Sequence, residues 1–162
     1  MSKTNLLNNC YDKFVTVEMK QQARDMRLSQ NFTLEEFVYS ETAERKGIDN
    51  YPDNIAITNL LLLCRDVLEP AREEYGKAMI ISSGYRCQQL NNAVGGAKNS
   101  QHMTGCACDI VCSEPRRLFE IFKKQGNFDQ LLWEHAGKTQ WLHVSYKPHG
   151  GNREQAIDNY QA

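Results

Sequence analysis

The sequence predicts an α+β domain with N-terminal helices packed on a mainly antiparallel sheet. Three observations predict it. Apolar residues recur at helical spacing between about residues 33 and 76. After residue 78 the apolar runs become short and strand-like, with one helical segment inserted among them. Helices first and a strand-rich half second describe segregated α and β layers rather than alternating βαβ units.

The elements follow in order. Residues 1–27 read as an N-terminal extension of uncertain order, with "KFVTVEM" (13–19) a short strand by its alternation. The domain proper is expected over 28–162. "NFTLEEFVYSETAERKG" starts a helix: Thr33 is an N-cap, Glu36 completes a capping box, and Phe32 with Phe37 forms a hydrophobic staple. Leu34, Phe37 and Val38 share a face, and Gly47 supplies the stop.

A second helix begins near Asp53 or Asn54. Ile57, Leu60, Leu61, Cys64, Val67 and Leu68 form its apolar stripe, Pro70 kinks it or lies near its end, and Gly76 breaks the pattern. "AMIISSGYR" (78–86) reads as a short buried strand, and "CQQLNNAVGGAKNS" as a short helix followed by a Gly-Gly loop. "CDIVC" (108–112) reads as a strand. Ser113 caps the helix "EPRRLFEIFKKQG", with Pro115 in its first turn. "FDQLLWEH" (128–135) and "QWLHVSYK" (140–147) are strands joined by the hairpin "AGKT", and "REQAI" (153–157) adds an edge strand.

Composition narrows the function classes. The 162 residues suit one domain, and such a domain buries about 70% of its unfolded surface without needing disulfides. Lys and Arg total 19 against 20 Asp and Glu, so no broad basic field recommends nucleic acid as a partner. No apolar run approaches the roughly 20 residues of a membrane span, and the N-terminus lacks the apolar core of a secretory signal. The expectation is a monomer, cytoplasmic as synthesised. Without a signal peptide the six cysteines are expected as reduced thiols.

"NSQHMTGCACDI" (99–110) concentrates groups that can bind a metal: His102, Cys106, Cys108 and Asp109. Alternation in "QWLHVSY" puts His143 on a face with Trp141 and Ser145, opposite Leu142 and Val144. Taken singly, each residue has an ordinary structural reading. His143 is then a half-buried structural histidine, Asp109 one half of a salt bridge, and His102 an exposed loop residue.

Taken together, "SGYR" (83–86), "SQHMTGCACD" (100–109) and "WLHVS" (141–145) carry more. Their order, and the pattern S-x-H-x-x-G-x-A-x-D, resembles the zinc peptidases that include D-Ala-D-Ala carboxypeptidases, D-Ala-D-Ala dipeptidases and phage L-alanyl-D-glutamate endopeptidases. That fold is shared with the hedgehog signalling domain. "NFTLEEFVYSETAERKGIDNYP" and "ISSGYRCQQLNNAVGG" are similar to the short, single-domain, phage- and prophage-associated branch. The resemblance spans roughly residues 28–157.

The resemblance implies a Zn2+ site of His102, Asp109 and His143, with a fourth position left open. It implies that Arg86 stabilises the oxyanion that develops during amide hydrolysis. Gly105 and Ala107 would be small because the loop packs tightly between ligands. Several relatives carry an acid or histidine two or three residues before the last ligand. Here those positions are Trp141 and Gln140, so Glu134 is the expected general base, with His135 as the alternative. Ser100 would bind a substrate terminus, and Tyr85, Trp133 and Trp141 would wall the cleft. Cys106 and Cys108 occupy variable positions of the motif, where small size matters more than thiol chemistry. The implied substrate is a peptidoglycan stem peptide, reached by a lysis enzyme released through a separate route. A non-catalytic wall- or partner-binding module of the same fold is the competing expectation, and a peptidase on unrelated cytosolic peptides a third.

Overall fold

A computed structural model of the chain describes residues 24–160. The strand expected over 13–19 and most of the N-terminal extension lie outside the described residues. The first helical segment is two short helices, α1 (Leu34–Val38) and α2 (Glu41–Lys46), rather than one. The Glu36 carboxylate takes both the N–H and the hydroxyl of Thr33, at 2.7 and 2.9 Å. Phe32 and Phe37 meet edge-on at 6.1 Å, so the staple forms as expected. The break falls at Tyr39 and Ser40 because Ser40 is itself an N-cap, accepting from the Ala43 N–H. Gly47 closes α2 in the left-handed region at φ 62°.

Asp53 caps α3 (Asn54–Leu63) through the Ala56 N–H at 2.8 Å. Pro70 does not end this helix. A π turn (Cys64–Leu68) leads into α4 (Glu69–Tyr75), which stops at Gly76. Proline has no N–H to give the carbonyl four residues back, and Asn127 Nδ2 supplies that bond to the Asp66 carbonyl instead, at 2.8 Å.

The remaining elements are β1 (Ile80–Ser83), α5 (Gln88–Ala93), a 3-10 turn (Gln101–Thr104), β2 (Ala107–Val111), α6 (Pro115–Gln125), β3 (Gln130–Ala136), β4 (Thr139–Ser145) and β5 (Gln155–Asp158). The five strands form one sheet in the order β1-β2-β4-β3-β5. Its pairs are antiparallel except β3 with β5. The fold is thus α+β with a mostly antiparallel sheet.

Two sequence expectations shift here. β1 is an edge strand and not a buried one: Ile80 is 61% exposed. Ser113 does not cap α6; its hydroxyl lies 3.2 Å from the Tyr75 hydroxyl, and Glu114 takes the N-cap position.

The core fills the space between the helices and one face of the sheet. Cys108, Ile110, Leu131, Trp133, Leu142 and Val144 come from the sheet, and Leu118, Phe119 and Phe122 from α6. Two-residue alternation sends the intervening side chains to the opposite face. Register then aligns Ser83, Asp109, His143 and Leu132 in one row across four strands. Among the described residues no helix is long and apolar enough to cross a membrane.

Candidate metal centre

Asp109 and His143 are direct cross-strand partners on β2 and β4. His102 reaches them from the 3-10 turn, whose last residue leads into Gly105 at φ 72°. A side chain at Gly105 would place its Cβ 2.3 Å from the Ala56 carbonyl oxygen. The turn can therefore seat on α3 only with glycine there. Ala107 is fully buried beside it. Gly105 is small because the loop is pressed against a helix.

Three donor atoms converge. His143 Nδ1 lies 2.9 Å from Asp109 Oδ1. His102 Nε2 lies 3.3 Å from His143 Nδ1 and 3.4 Å from Asp109 Oδ1. Tetrahedral zinc, with ligand bonds of about 2.0–2.1 Å, holds its donors roughly 3.3 Å apart. The triangle matches that spacing on two edges and is slightly tighter on the third. His102 Nδ1 donates to the Gly84 carbonyl at 2.7 Å. That bond fixes the tautomer and leaves the Nε2 lone pair facing the other two acceptors. A divalent cation would satisfy three such donor atoms at once, and among the described residues these three form the one cluster able to hold a metal.

Electrostatics agree with that reading. Burial pushes the Asp109 carboxyl upward, but the adjacent His102 and His143 rings outweigh it and hold the group well below the usual carboxylate range. Arg86 lines a cleft of about 380 Å³ that opens onto Asp109, together with Tyr85, Ser82, Ser83, Tyr39 and Glu41. Its Nε is buried with no hydrogen-bond partner. Burial lowers its pKa and the Asp109 charge offsets this in part. No ion pair joins Arg86 to Asp109 among the described residues. Arg86 therefore lines the cleft beside Asp109 with one polar group still unsatisfied.

The other expected site residues divide by strand face. Glu134 pairs with Trp141 and shares the His143 face. It is a diagonal neighbour of His143, a relation that puts residue positions roughly 7–8 Å apart. Trp141 donates its indole N–H to Glu134 Oε2 at 3.0 Å. His135 points the other way, is exposed, and sits edge-on to Tyr160 at 5.8 Å. Trp133 does not wall the cleft. Odd-numbered positions of β3 face the core, and there Trp133 packs with Phe119 and stacks on Tyr160. Tyr85 is half-buried along the cleft, and burial pushes its hydroxyl up to about 12. Ser100 starts the turn that carries His102 and is half-buried, without lining the cleft. Cys108 is a core residue, and Cys106 rests its thiol 3.8 Å from the Thr104 carbonyl. Sequence reasoning missed Gly84, whose part is played by a carbonyl oxygen and therefore has no side-chain signal.

Two strands and an adjoining turn that bring two imidazoles and a carboxylate together make a donor set of the kind that holds zinc in metallohydrolases. The family model described as Peptidase M15 matches residues 30–145, and the chain belongs to that family of zinc peptidases. No curated protein matches the chain.

Proposed function

We propose that the protein is a zinc-dependent peptidase that hydrolyses peptide bonds in peptidoglycan stem peptides, as a D-Ala-D-Ala carboxypeptidase or an L-Ala-D-Glu-type endopeptidase. One observation carries it: His102, Asp109 and His143 converge, and Asp109 also lines a cleft that it shares with Arg86, whose Nε has no partner. His102, Asp109 and His143 would hold the zinc, which would supply Lewis-acid chemistry toward the scissile carbonyl and water.

The chain's own groups do the rest. Glu134 takes a proton from the attacking water and delivers it to the leaving amine. Its Oε2 is occupied by the Trp141 indole, which leaves Oε1 for that water. The Arg86 guanidinium donates to the oxygen that gains negative charge. Tyr85 and Trp141 flank the peptide, and Ser100, outside the cleft itself, meets a terminus of the substrate that extends beyond it. Stem peptides contain D-residues, so ordinary proteins are poor substrates under this reading. A phage or prophage lysis setting fits the same proposal.

A second reading rests on Gln140. It stands where several relatives carry the base, and it is bonded to the Trp133 indole at 3.0 Å. If Glu134 does not serve, the domain is a zinc-containing module that binds the wall without cutting it. Zinc content and digestion of purified peptidoglycan decide. The peptidase reading expects about one zinc per chain and new amino termini or free D-Ala. One zinc without products from walls of several chemotypes supports the binding module. Metal-replete protein without zinc removes both readings.

A further inference from the structure

The segment Gly84–Cys87 is held through its main chain almost throughout. Gly84 O accepts from His102 Nδ1 at 2.7 Å. The Tyr85 N–H donates to Phe37 O at 2.7 Å, and the Arg86 N–H donates to His102 O at 3.2 Å. Gly84 admits no other residue, because a Cβ there would lie 2.5 Å from Phe37 Cα and O. Two further groups, the Tyr85 carbonyl and the Cys87 N–H, belong to the peptide units on either side of Arg86. Both are taken by one side chain, Asn50. Its Nδ2 donates to Tyr85 O at 3.0 Å, and its Oδ1 accepts from Cys87 N at 2.7 Å. The second hydrogen of Nδ2 goes to Val38 O at 2.9 Å. Asn50 is buried, and these bonds leave its amide no free donor.

The other buried asparagines do not do this. Asn59 makes one side-chain bond, to Thr104 O, and Asn91 makes one, to Ala97 O. Each ties a loop at one point. Asn50 ties the chain at two points that bracket a single residue. Fixing both flanking peptide planes fixes φ and ψ of Arg86, and with them the direction of its Cα–Cβ bond. The main chain at Arg86 is therefore strongly constrained, while its Nε is buried without a partner. A rigid mount bearing an unsatisfied donor is the arrangement of a preorganised oxyanion ligand.

We propose that Asn50 is a positioning residue for Arg86: its carboxamide locks the peptide groups on both sides of that residue and so aims the guanidinium at the cleft beside the His102–Asp109–His143 cluster. The inference rests on the reading of Arg86 as the oxyanion donor. Misplacing a catalytic group by about 1 Å costs on the order of 10²-fold in rate, and that loss is expected in Asn50→Ala.

The test uses zinc-loaded full-length protein. Turnover of soluble disaccharide-pentapeptide muropeptides is measured for wild type, Asn50→Ala, Arg86→Ala and the double variant. The expected result is a lower kcat for Asn50→Ala with KM and zinc content unchanged. The double variant should turn over no more slowly than Arg86→Ala alone. A residue that only supports the fold would instead multiply the Arg86→Ala loss, and that outcome overturns the proposal.

A second readout needs no substrate. The Arg86 Nε–H resonance in a ¹H–¹⁵N spectrum, assigned by its loss in Arg86→Lys, should be protected from exchange in wild type. It should shift and exchange rapidly in Asn50→Ala. Asn50→Asp keeps the volume and the acceptor for Cys87 but loses both donations, and it serves if the alanine variant does not fold. An unchanged resonance in a folded Asn50 variant overturns the proposal. Wild-type turnover by Arg86→Ala would overturn the oxyanion reading instead, and the resonance alone would then decide whether Asn50 orders the side chain.

Discussion

Asp109 and Asp129 are both carboxylates withdrawn from solvent on the same sheet, one within β2 and one just before β3. Their partners differ in kind. Asp129 is fully buried and receives Arg153 through Nε at 2.9 Å, through its second guanidinium nitrogen at 2.5 Å and through the backbone N–H at 3.1 Å. Lys147 adds an ammonium at 2.9 Å. Two fixed cations saturate its oxygens. Asp109 faces two imidazoles, which carry no obligatory charge, and an arginine that does not bond to it.

Both carboxyls are held below their ordinary range, Asp129 by the Arg153 hydrogen bonds and Asp109 by its two histidines against the opposing effect of burial. A low pKa alone therefore does not mark function. The type of partner does: fixed cations close a site, whereas neutral lone pairs leave a position for an external cation.

The sharpest way to break this contrast is to remove each carboxylate. Asp109→Asn and His102→Ala should lower zinc affinity by more than the roughly 10–100-fold that outer-shell changes bring, and abolish hydrolysis. Asp129→Asn should keep zinc and turnover wherever it stays folded. Metal analysis beside muropeptide digestion reads both, and a metal-free Asp129→Asn would erase the distinction.

A smaller effect separates metal from base. Glu134→Gln should retain zinc and lose about 10²–10⁴-fold in kcat. Retained turnover would return the base to another group or sink the peptidase reading.

The next contrast is in stability. Breaking a buried pair costs about 3–5 kcal/mol, and the half-exposed cations here bring the expectation for Asp129→Asn to about 2 kcal/mol. Urea midpoints measure it. The sign with pH follows from a folded-state pKa below the unfolded value near 3.9. The contribution is fully present above about pH 4 and is lost as pH falls toward the folded value. The gap between wild type and Asp129→Asn should therefore narrow between pH 7 and pH 2. A constant gap would mean that packing, not charge, holds the Asp129 cluster.

The last contrast, without effect on turnover, is between Cys106 and Cys108, both free thiols. Cys106→Ala should leave activity intact and stability within about 0.5 kcal/mol. Cys108→Ser places a hydroxyl in the core and should destabilise by about 1–3 kcal/mol without touching turnover.

Much of the candidate site was legible beforehand because its parts are short-range. The spacing of His102, Gly105, Ala107 and Asp109 lies within one turn and one strand, and the alternation of β4 alone put His143 opposite Leu142 and Val144. Alternation also contained the correction on Trp133: in "LLWE" the tryptophan and the glutamate cannot share a face. The split between α1 and α2 was written in Ser40, an N-cap inside an otherwise helical stretch. The path of the helix through Pro70 was not legible, because the donor that rescues the Asp66 carbonyl comes from Asn127.

The sequence by itself determined the fold class, the family motifs and the donor types, since periodicity, capping and ligand chemistry are properties of neighbouring residues. Only the tertiary structure decided which groups meet. Register across β1, β2, β4 and β3 brought Asp109 to His143, the seat of Gly105 on α3 delivered His102, and burial of Asn50 bracketed Arg86. Each depends on contacts between residues far apart in the chain, whose partners no local pattern encodes.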